Sequence, residues 1–152
     1  MLEELFEPNN PGERELKQAL RAQGYKVRDV SDNSCYWSKD IDLIVTNIAT
    51  GKITNVEVKW DYYIAKTGNL FIELSNPRSK GGNGWFKFCE ADALAYGDAH
   101  NKVFYTFDFL QLREFINEHK KEFNCRTTAD GSYGYLVPLA LVKHLVKSAV
   151  AV

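Results

Sequence analysis

The strongest constraint on the fold is a run of alternating side chains at residues 53–60 (ITNVEVKW). Its β-branched residues predict a strand, and the period of two puts Val56 and Val58 on one face. Glu57 and Lys59 then share the opposite face. Charged side chains on a strand inside a sheet are costly unless they are solvated, paired or holding a ligand. This strand therefore predicts either a functional site or a solvated, paired surface.

The residues before this run predict a helix followed by a strand. Asn10 is suited to cap the helix, Pro11 to its first position, and Glu13 to the third residue after the cap. Gly24 stands where such a helix would end, and residues 25–30 alternate as a strand does. The chain is therefore expected to open with a helix and then a strand.

Further elements follow from the same patterns. Two β-rich runs at residues 41–46 and 53–60 enclose a polar turn, which predicts a hairpin. Later segments predict, in order, a strand at residues 69–74, a short helix at 88–96 ending at Gly97, and a strand at 102–107.

The last third of the chain predicts two more helices. Asp108 and Gln111 form the N-terminal capping pattern of one of them. Its core-facing residues are predicted to be Leu112, Phe115 and Ile116. The apolar tail at residues 136–152, with Pro138 near its start, predicts a final amphipathic helix. All 152 residues fit a single α/β domain.

The composition restricts the classes of protein that fit. A formal net charge of −1 at pH 7 argues against a domain that coats nucleic acid by bulk electrostatics, although it is compatible with a local basic patch. Cys35, Cys89 and Cys125 form neither a zinc-type C-x-x-C pair nor an even disulfide set. We expect buried free thiols in a reducing compartment, the cytoplasm. No stretch reaches the ~20 apolar residues of a membrane-spanning helix, so no membrane partner is expected.

The predicted hairpin brings three chemically useful side chains together. Asp42 begins its first strand, close to Glu57 or Lys59 on the second. Two carboxylates can hold Mg²⁺, which prefers hard oxygen ligands and keeps several waters. A neighbouring lysine can orient or help deprotonate an attacking water, or stabilise a pentavalent phosphate as a point charge. This combination suits phosphodiester hydrolysis.

Two short motifs carry a resemblance to a known family. Asp42 leads into the apolar residues 43–45 (LIV), and Glu57-Val58-Lys59 follows on the next predicted strand. With the predicted element order, this pattern resembles the PD-(D/E)xK nuclease superfamily over residues 11–107. The resemblance implies a restriction-endonuclease-like αβββαβ core, a central mixed sheet flanked by helices. It also implies a Mg²⁺-dependent endodeoxyribonuclease, with Asp42 and Glu57 as metal ligands and Lys59 at the water or the scissile phosphate.

A narrower resemblance concerns the predicted first helix. Residues 12–16 (GEREL), followed by Leu20, Gly24-Tyr25 and Val27, resemble the first helix and strand of archaeal-type Holliday junction resolvases. This similarity implies that Glu13 is a further metal ligand. Residues 61–84 depart from that group and are closer to phage-type nucleases of unassigned substrate. The substrate implied is DNA, with branched or otherwise structured DNA as one class, in recombination or repair.

These site assignments have alternatives. Asp40 competes with Asp42 for the metal role, because residues 39–42 (KDID) replace the proline of the family motif. Asp42 is favoured because it directly precedes the apolar run and lies 15 residues before Glu57. The acidic and basic side chains of the hairpin could instead form a solvated ion-pair ladder on the surface. Glu13 could act only as a capping partner of Asn10.

A basic segment at residues 66–87 is a candidate for DNA contacts. Cations hold phosphate and aromatic rings stack on exposed bases. The candidate residues are Lys66, Arg78, Lys80, Trp85 and Lys87. The alternative is a polar surface loop that Trp85 anchors to the core. The aromatic residues at 60–63 (WDYY) are expected to complete packing at the end of a strand rather than to bind a ligand.

The sequence therefore predicts a Mg²⁺-dependent DNA endonuclease in which Mn²⁺ would substitute for Mg²⁺. The alternative, from another class, is a non-catalytic nucleic-acid or partner-binding module that keeps the fold. DNA is the expected partner of the enzyme. A homodimer is compatible with this interpretation, because the choice of DNA target depends on loop shape and dimer geometry.

Overall fold

The computed structural model describes residues 11–152, apart from the side chain of Lys80. The helices are α1 (Pro11–Ala22), α2 (Ser34–Trp37), α3 (Ile64–Thr67), α4 (Trp85–Phe88), α5 (Phe109–His119) and α6 (Leu139–Val142). The strands are β1 (Tyr25–Asp29), β2 (Leu43–Asn47), β3 (Ile53–Asp61), β4 (Asn69–Ser75), β5 (Ala93–Asp98), β6 (Val103–Asp108), β7 (Asn124–Thr127), β8 (Tyr133–Pro138) and β9 (Val146–Ala151). Short 3₁₀ turns cover Lys80–Gly82, Lys120–Glu122 and Lys143–Leu145. The predicted helix cap Asn10 lies outside the described residues.

The main sheet is mixed, and β3 lies near its centre. Its strand order in the described part of the chain is β1-β2-β3-β5-β6-β9. Neighbouring strands are antiparallel, except that β3 and β5 run parallel. The predicted hairpin is confirmed, since β2 pairs with β3 and places Leu43 opposite Val56. β3 therefore has a hydrogen-bonded neighbour on both sides.

Each face of the main sheet is covered by its own apolar layer. On one face, Leu16 of α1 packs with Val56 and Val58 of β3. On the other face, Leu94 of β5 packs with Leu112 of α5. Helix α1 contacts β1 and β3, whereas α5 contacts β5 and β6. The expected fold class, a central mixed sheet flanked by helices, is confirmed.

A second, three-stranded sheet adds to the layer on the α5 side. Its order is β4-β8-β7, and it buries Leu70 and Ile72 of β4 with Val137 of β8. The hydroxyl of Tyr96 on β5 accepts a hydrogen bond from the Phe71 N–H at 2.9 Å, which links the two sheets. The strand predicted at residues 69–74 is therefore confirmed, and it belongs to this second sheet.

The ends of several predicted elements are also confirmed. Helix α1 gives way to Gly24, whose φ of +92° lies in the left-handed region that favours glycine, and β1 follows directly. At the start of α5, the Asp108 side chain accepts a hydrogen bond from the Gln111 N–H at 3.0 Å. Leu112 and Ile116 are buried as expected. Local capping chemistry therefore sets these boundaries.

The helix predicted at residues 88–96 is wrong. After the short α4, this segment forms β5, which is hydrogen-bonded to β3 on one side and β6 on the other. A short apolar run fits a strand buried on both faces as well as a helix, and pairing with two neighbours favours the strand. Gly97 does not end a helix, because it lies inside β5 against the rings of Trp60 and Phe104.

The final amphipathic helix predicted at residues 136–152 is also wrong. Pro138 ends β8, only the single turn α6 follows, and the chain returns to the main sheet as β9. There it pairs with β6, and Val150 enters the apolar layer of α1. Strand β9 contains the β-branched residues Val146 and Val150, and an unpaired sheet edge gives such residues a place to pack. None of the helices formed by residues 11–152 combines the length and apolar character needed to span a bilayer.

Trp60 is the point where α1, β3 and β5 pack most closely, and we expect the fold to be sensitive there. A Cβ atom added at Gly97 would lie 2.4 Å from Trp60 Cε3 and 2.7 Å from Phe104 Cε1. We therefore expect Gly97→Ala to lower the free energy of unfolding by about 1–3 kcal/mol through overpacking. Urea unfolding of the purified variant measures this loss. Adding Trp60→Phe should recover part of it, and additive losses in the double variant would contradict the packing argument.

Candidate active site

Strand β3 presents an ion pair on the face opposite its valines. Lys59 Nζ lies 2.7 Å from Glu57 Oε1. The Glu57 residue is only 2% exposed, whereas the Lys59 side chain keeps 28% of its surface exposed. A carboxylate buried to this extent does not fit a solvated ion-pair ladder, because desolvation carries a free-energy cost that such surface pairs avoid.

Two aspartates stand beside this pair. The backbone of β3 holds the Asp42 carboxylate in place, because Asp42 Oδ2 accepts a hydrogen bond from the Val58 N–H at 2.9 Å. Asp40 Oδ2 lies 3.9 Å from Lys59 Nζ. The backbone of Asp40 has a φ of +55°, an unusual left-handed conformation that aspartate and asparagine tolerate better than most residues. Residues 40 and 42 therefore both contribute a carboxylate to the site.

Two carboxylate oxygens at the site are buried without a hydrogen-bond donor. Glu57 Oε2 and Asp40 Oδ2 have no hydrogen-bond partner among the described residues. Burial raises the pKa of the Glu57 carboxyl well above its usual value, and the Lys59 charge opposes that shift. Burial also raises the pKa of Asp40, again against Lys59, and the nearby Asp42 charge adds to the increase. The described side chains leave these two oxygens without a hydrogen-bond donor, so a bound cation would compensate for their burial.

Lys59 carries the positive charge of the site. Burial by itself would lower its pKa, but the charges of Glu57 and Asp40 outweigh that effect and raise the pKa above its usual value. Its ammonium group also lies 4.9 Å from the centre of the Trp85 ring, within the range of a cation–π contact. Lys59 is therefore held in place and protonated at neutral pH.

Glu13 reaches the site from helix α1. It is 4% exposed, and its pKa is raised from 4.5 to about 7 by burial and by the charges of Asp42 and Asp29. The charge of Lys17 and a hydrogen bond with Ser31 act in the opposite direction. Glu13 is thus close enough to Asp42 to feel its charge, as the predicted role in metal binding requires.

The donor set fits a hard divalent cation that keeps most of its water. Among residues 11–152, no three acidic, cysteine or histidine side chains are gathered closely enough to hold a metal ion by themselves. Mg²⁺ is commonly bound by only one or two carboxylates together with several waters, so the adjacent Asp42 and Glu57 carboxylates match that chemistry. The buried Glu57 oxygen without a donor is the observation that supports this fit.

The candidate DNA-contacting residues differ in exposure and in their contacts. Trp85 is 6% exposed and packs against Phe86 and Phe109, so it anchors its segment to the core instead of presenting its ring to a base. Arg78 is exposed and forms an ion pair with Asp130. Lys66 and Lys87 are both exposed, whereas the side chain of Lys80 lies outside the described residues. The structure thus supports the alternative in which Trp85 is an anchor.

Three exposed residues near the site were not assigned a role from sequence. Tyr62 and Tyr63 were expected to pack at the end of a strand, yet they are 66% and 71% exposed, and only Trp60 of that group is packed inside. Arg126 of β7 lines the same cleft as the two tyrosines. Two adjacent tyrosines point to opposite faces of an extended chain, which could have indicated that both would not be buried. No sequence signal identifies Arg126.

Comparison with known proteins gives one structural match. No protein-family model and no curated protein matches the chain. Among solved structures, the chain is similar to a bacterial homing endonuclease, I-Ssp6803I, with 17% sequence identity and a TM-score of 0.47. The match covers 83% of this chain and 72% of that chain. At this level the similarity concerns the general course of the chain and assigns no residue of the site.

The raised pKa of Glu13 predicts a loss of stability with rising pH in metal-free buffer. Because the folded protein holds this proton up to about pH 7 and the unfolded chain only to about 4.5, stability falls between those values. This difference in the pKa of Glu13 between the folded and the unfolded protein corresponds to roughly 3 kcal/mol in the free energy of unfolding. We expect Glu13→Gln to remove this part of the decline, and thermal unfolding from pH 4 to 8.5 in EDTA measures it. Glu118→Gln, an exposed control on α5, should keep the full decline. Parallel profiles for wild type and Glu13→Gln would contradict the assignment.

Proposed function

We propose that this chain is a metal-dependent DNA endonuclease of the PD-(D/E)xK type that hydrolyses phosphodiester bonds. The observation that carries the proposal is the buried Glu57–Lys59 pair, 2.7 Å apart, whose second carboxylate oxygen has no donor among the described residues. A carboxylate left in this state is costly unless a cation completes it. The resemblance of the sequence motifs favours DNA, and branched or otherwise structured DNA in particular.

The proposed metal ligands are Asp42 and Glu57, with Glu13 as a further ligand. When bound, Mg²⁺ would supply an activated water and neutralise charge that develops on the phosphate, and Mn²⁺ would substitute for it. The hydrogen bond from the Val58 N–H holds the Asp42 carboxylate next to Glu57. The charge of Asp42 at the buried Glu13 supports a place for Glu13 on the same side of the site.

Lys59 would act as a cation rather than as a base. Its raised pKa keeps the ammonium protonated at neutral pH, so it cannot accept a proton from water there. A protonated lysine can instead orient the attacking water or stabilise the negative charge of the pentavalent phosphate. Contacts with Glu57 and the Trp85 ring restrict where its Nζ can lie, so its charge is positioned before the substrate arrives.

The second candidate is a non-catalytic nucleic-acid or partner-binding module with the same fold. It is favoured by the observation that no three ligating side chains are gathered as a metal site among residues 11–152. In such a module the charged residues of β3 would shape a binding surface and would not catalyse a reaction. Cleavage and metal titration distinguish the two functions, because a binding module holds DNA whether or not metal is present.

We place the enzyme in the cytoplasm. All three cysteines are free thiols, which suits a reducing compartment. Cys89 is buried as expected, whereas the predicted burial is wrong for Cys35 and Cys125, which are exposed. A homodimer is part of the proposal as one way to engage two DNA strands, because a twofold axis presents the same site to both.

The first test is cleavage of labelled duplex, single-stranded, flap and four-way-junction DNA in Mg²⁺, Mn²⁺ or EDTA. We expect Glu57→Gln, Glu57→Ala and Lys59→Ala to lower the cleavage rate by about 100-fold or more, since each removes a charge that acts on the transition state. Glu118→Ala and Lys121→Ala are matched exposed controls on or near α5 and should cleave like wild type. Activity that persists in Glu57→Ala under metal, in a preparation free of other nucleases, would refute the proposal.

The second test separates the two aspartates by Mn²⁺ titration calorimetry. We expect Asp42→Asn to weaken Mn²⁺ binding by at least about 10-fold, because even indirect partners of metal ligands contribute that much. Asp40→Asn should weaken it less, and asparagine is the matched substitution there because it tolerates the positive φ of residue 40. A larger loss in Asp40→Asn than in Asp42→Asn would reassign the ligand role to Asp40.

A further inference from the structure

A cleft of about 620 Å³ has Lys59 in its lining. One wall is the end of β3 and the residues after it, which include Tyr62 and Tyr63. Other lining residues belong to the second sheet, among them Arg126 of β7, and to the loop between β7 and β8. The cleft is therefore continuous with the proposed active site, and anything lying in it would reach the Lys59 ammonium.

The aromatic rings at the cleft are presented to solvent. Tyr62 and Tyr63 are 66% and 71% exposed, although the neighbouring Trp60 is packed against Phe104 with ring centres 5.2 Å apart. Tyrosine combines a broad apolar ring with a polar hydroxyl, and such residues are enriched where proteins bind partners. Both tyrosines line the cleft, and the Tyr62 ring also meets the Trp60 ring edge-on, with ring centres 6.5 Å apart. Their exposed ring surface is therefore available to a ligand in the cleft.

The backbone under these rings is held firmly. Asp61 Oδ1 accepts hydrogen bonds from the N–H groups of Tyr63 at 2.6 Å and Ile64 at 3.2 Å. Asp61 Oδ2 accepts the hydroxyl of Tyr96, whose oxygen in turn accepts the N–H of Phe71 in the second sheet. This network joins the end of β3 to both sheets. Ordering of the backbone that carries the rings therefore costs little when a ligand binds.

The charged residues that line the cleft are the cations Lys59 and Arg126 and three carboxylates. The carboxylates are all engaged: Asp61 as above, Glu73 by the Trp85 N–H at 3.4 Å, and Asp130 by Arg78. Lys59 is paired with Glu57. Arg126 is the charged lining residue without a hydrogen-bond or ion-pair partner from residues 11–152. Its guanidinium is therefore available for a phosphate.

We propose that this cleft binds an unpaired DNA strand, with Tyr62 and Tyr63 stacking on its bases and Arg126 contacting its backbone. Aromatic side chains stack on bases whose faces are exposed, and the faces of duplex bases are covered by their neighbours. The strand would lead the scissile phosphate towards Lys59. This inference rests on the proposed nuclease and names its substrate class: DNA with a single-stranded portion next to the cleavage position.

The test is binding of fluorescent oligonucleotides followed by anisotropy, in EDTA so that no strand is cut. The probes are a single strand, the same strand with several abasic positions, and the matching duplex. We expect Tyr62→Ala and Tyr63→Ala each to weaken binding of the intact single strand about 10-fold and to leave the abasic strand unchanged. Tyr62→Phe and Tyr63→Phe keep the ring and should bind like wild type. Arg126→Gln should weaken the intact and abasic strands equally, because both keep their phosphates.

Tyr133→Ala is the matched control, since Tyr133 is an exposed tyrosine that does not line the cleft. The proposal is overturned if the tyrosine variants weaken the intact and abasic strands equally, if Tyr133→Ala has the same effect, or if no single strand binds. Cleavage is scored separately with Glu57→Ala. Glu57-dependent cleavage without base-dependent binding would keep the nuclease and reject the stacking surface, whereas the reverse would keep the cleft and reject the nuclease.

Discussion

The ion pair between Glu57 and Lys59 lies on a strand with hydrogen-bonded neighbours on both sides, where sheets usually carry apolar side chains on both faces. The opposite face of β3 is fully apolar in its centre, so the strand cannot turn over to expose its charges. The structure instead covers the charged face incompletely. Trp85 provides an aromatic surface for the ammonium, and the Lys59 side chain, which lines the cleft, stays partly exposed.

The site also concentrates more negative charge than it neutralises with protein groups. Besides burial, the charge of Asp42 raises the pKa values of Glu13, Asp40 and Glu57. Lys59 is the cation that opposes this for Asp40 and Glu57, and Lys17 is the one that opposes it for Glu13. Burial without enough donors makes each extra charge unfavourable, and protonation or a cation relieves it. The same repulsion that weakens the fold as the pH rises from about 4.5 to 7 also favours binding of a divalent cation. The carboxylates that favour cation binding therefore lower the stability of the metal-free protein.

Sequence patterns predicted most of what local chemistry controls. The capping residues at Asp108 and Gly24, the hairpin, and the placement of Glu57 opposite its neighbouring valines follow from periods and caps that act over a few residues. The pairing of strands that lie far apart in the sequence does not follow from such local patterns. The apolar segments that became β5 and β9 fit a helix as well as a strand, and their strand partners are far away in the sequence. The exposure of Tyr62 and the position of Arg126 depend on the second sheet, which no local pattern places.

The packing of Trp60 has a consequence for how such a chain can vary over evolutionary time. Its indole fills the space that side chains at Gly12 and Gly97 would otherwise occupy, and Gly12 precedes Glu13 in helix α1. The ring thus acts as a spacer that sets how far the carboxylate of α1 stands from the sheet. In a set of homologous chains, side-chain volume should be exchanged among positions 12, 60 and 97, so that an alanine at either glycine accompanies a smaller ring at 60. Covariation among these three apolar positions would then report on the acidic site, although none of them carries a charge.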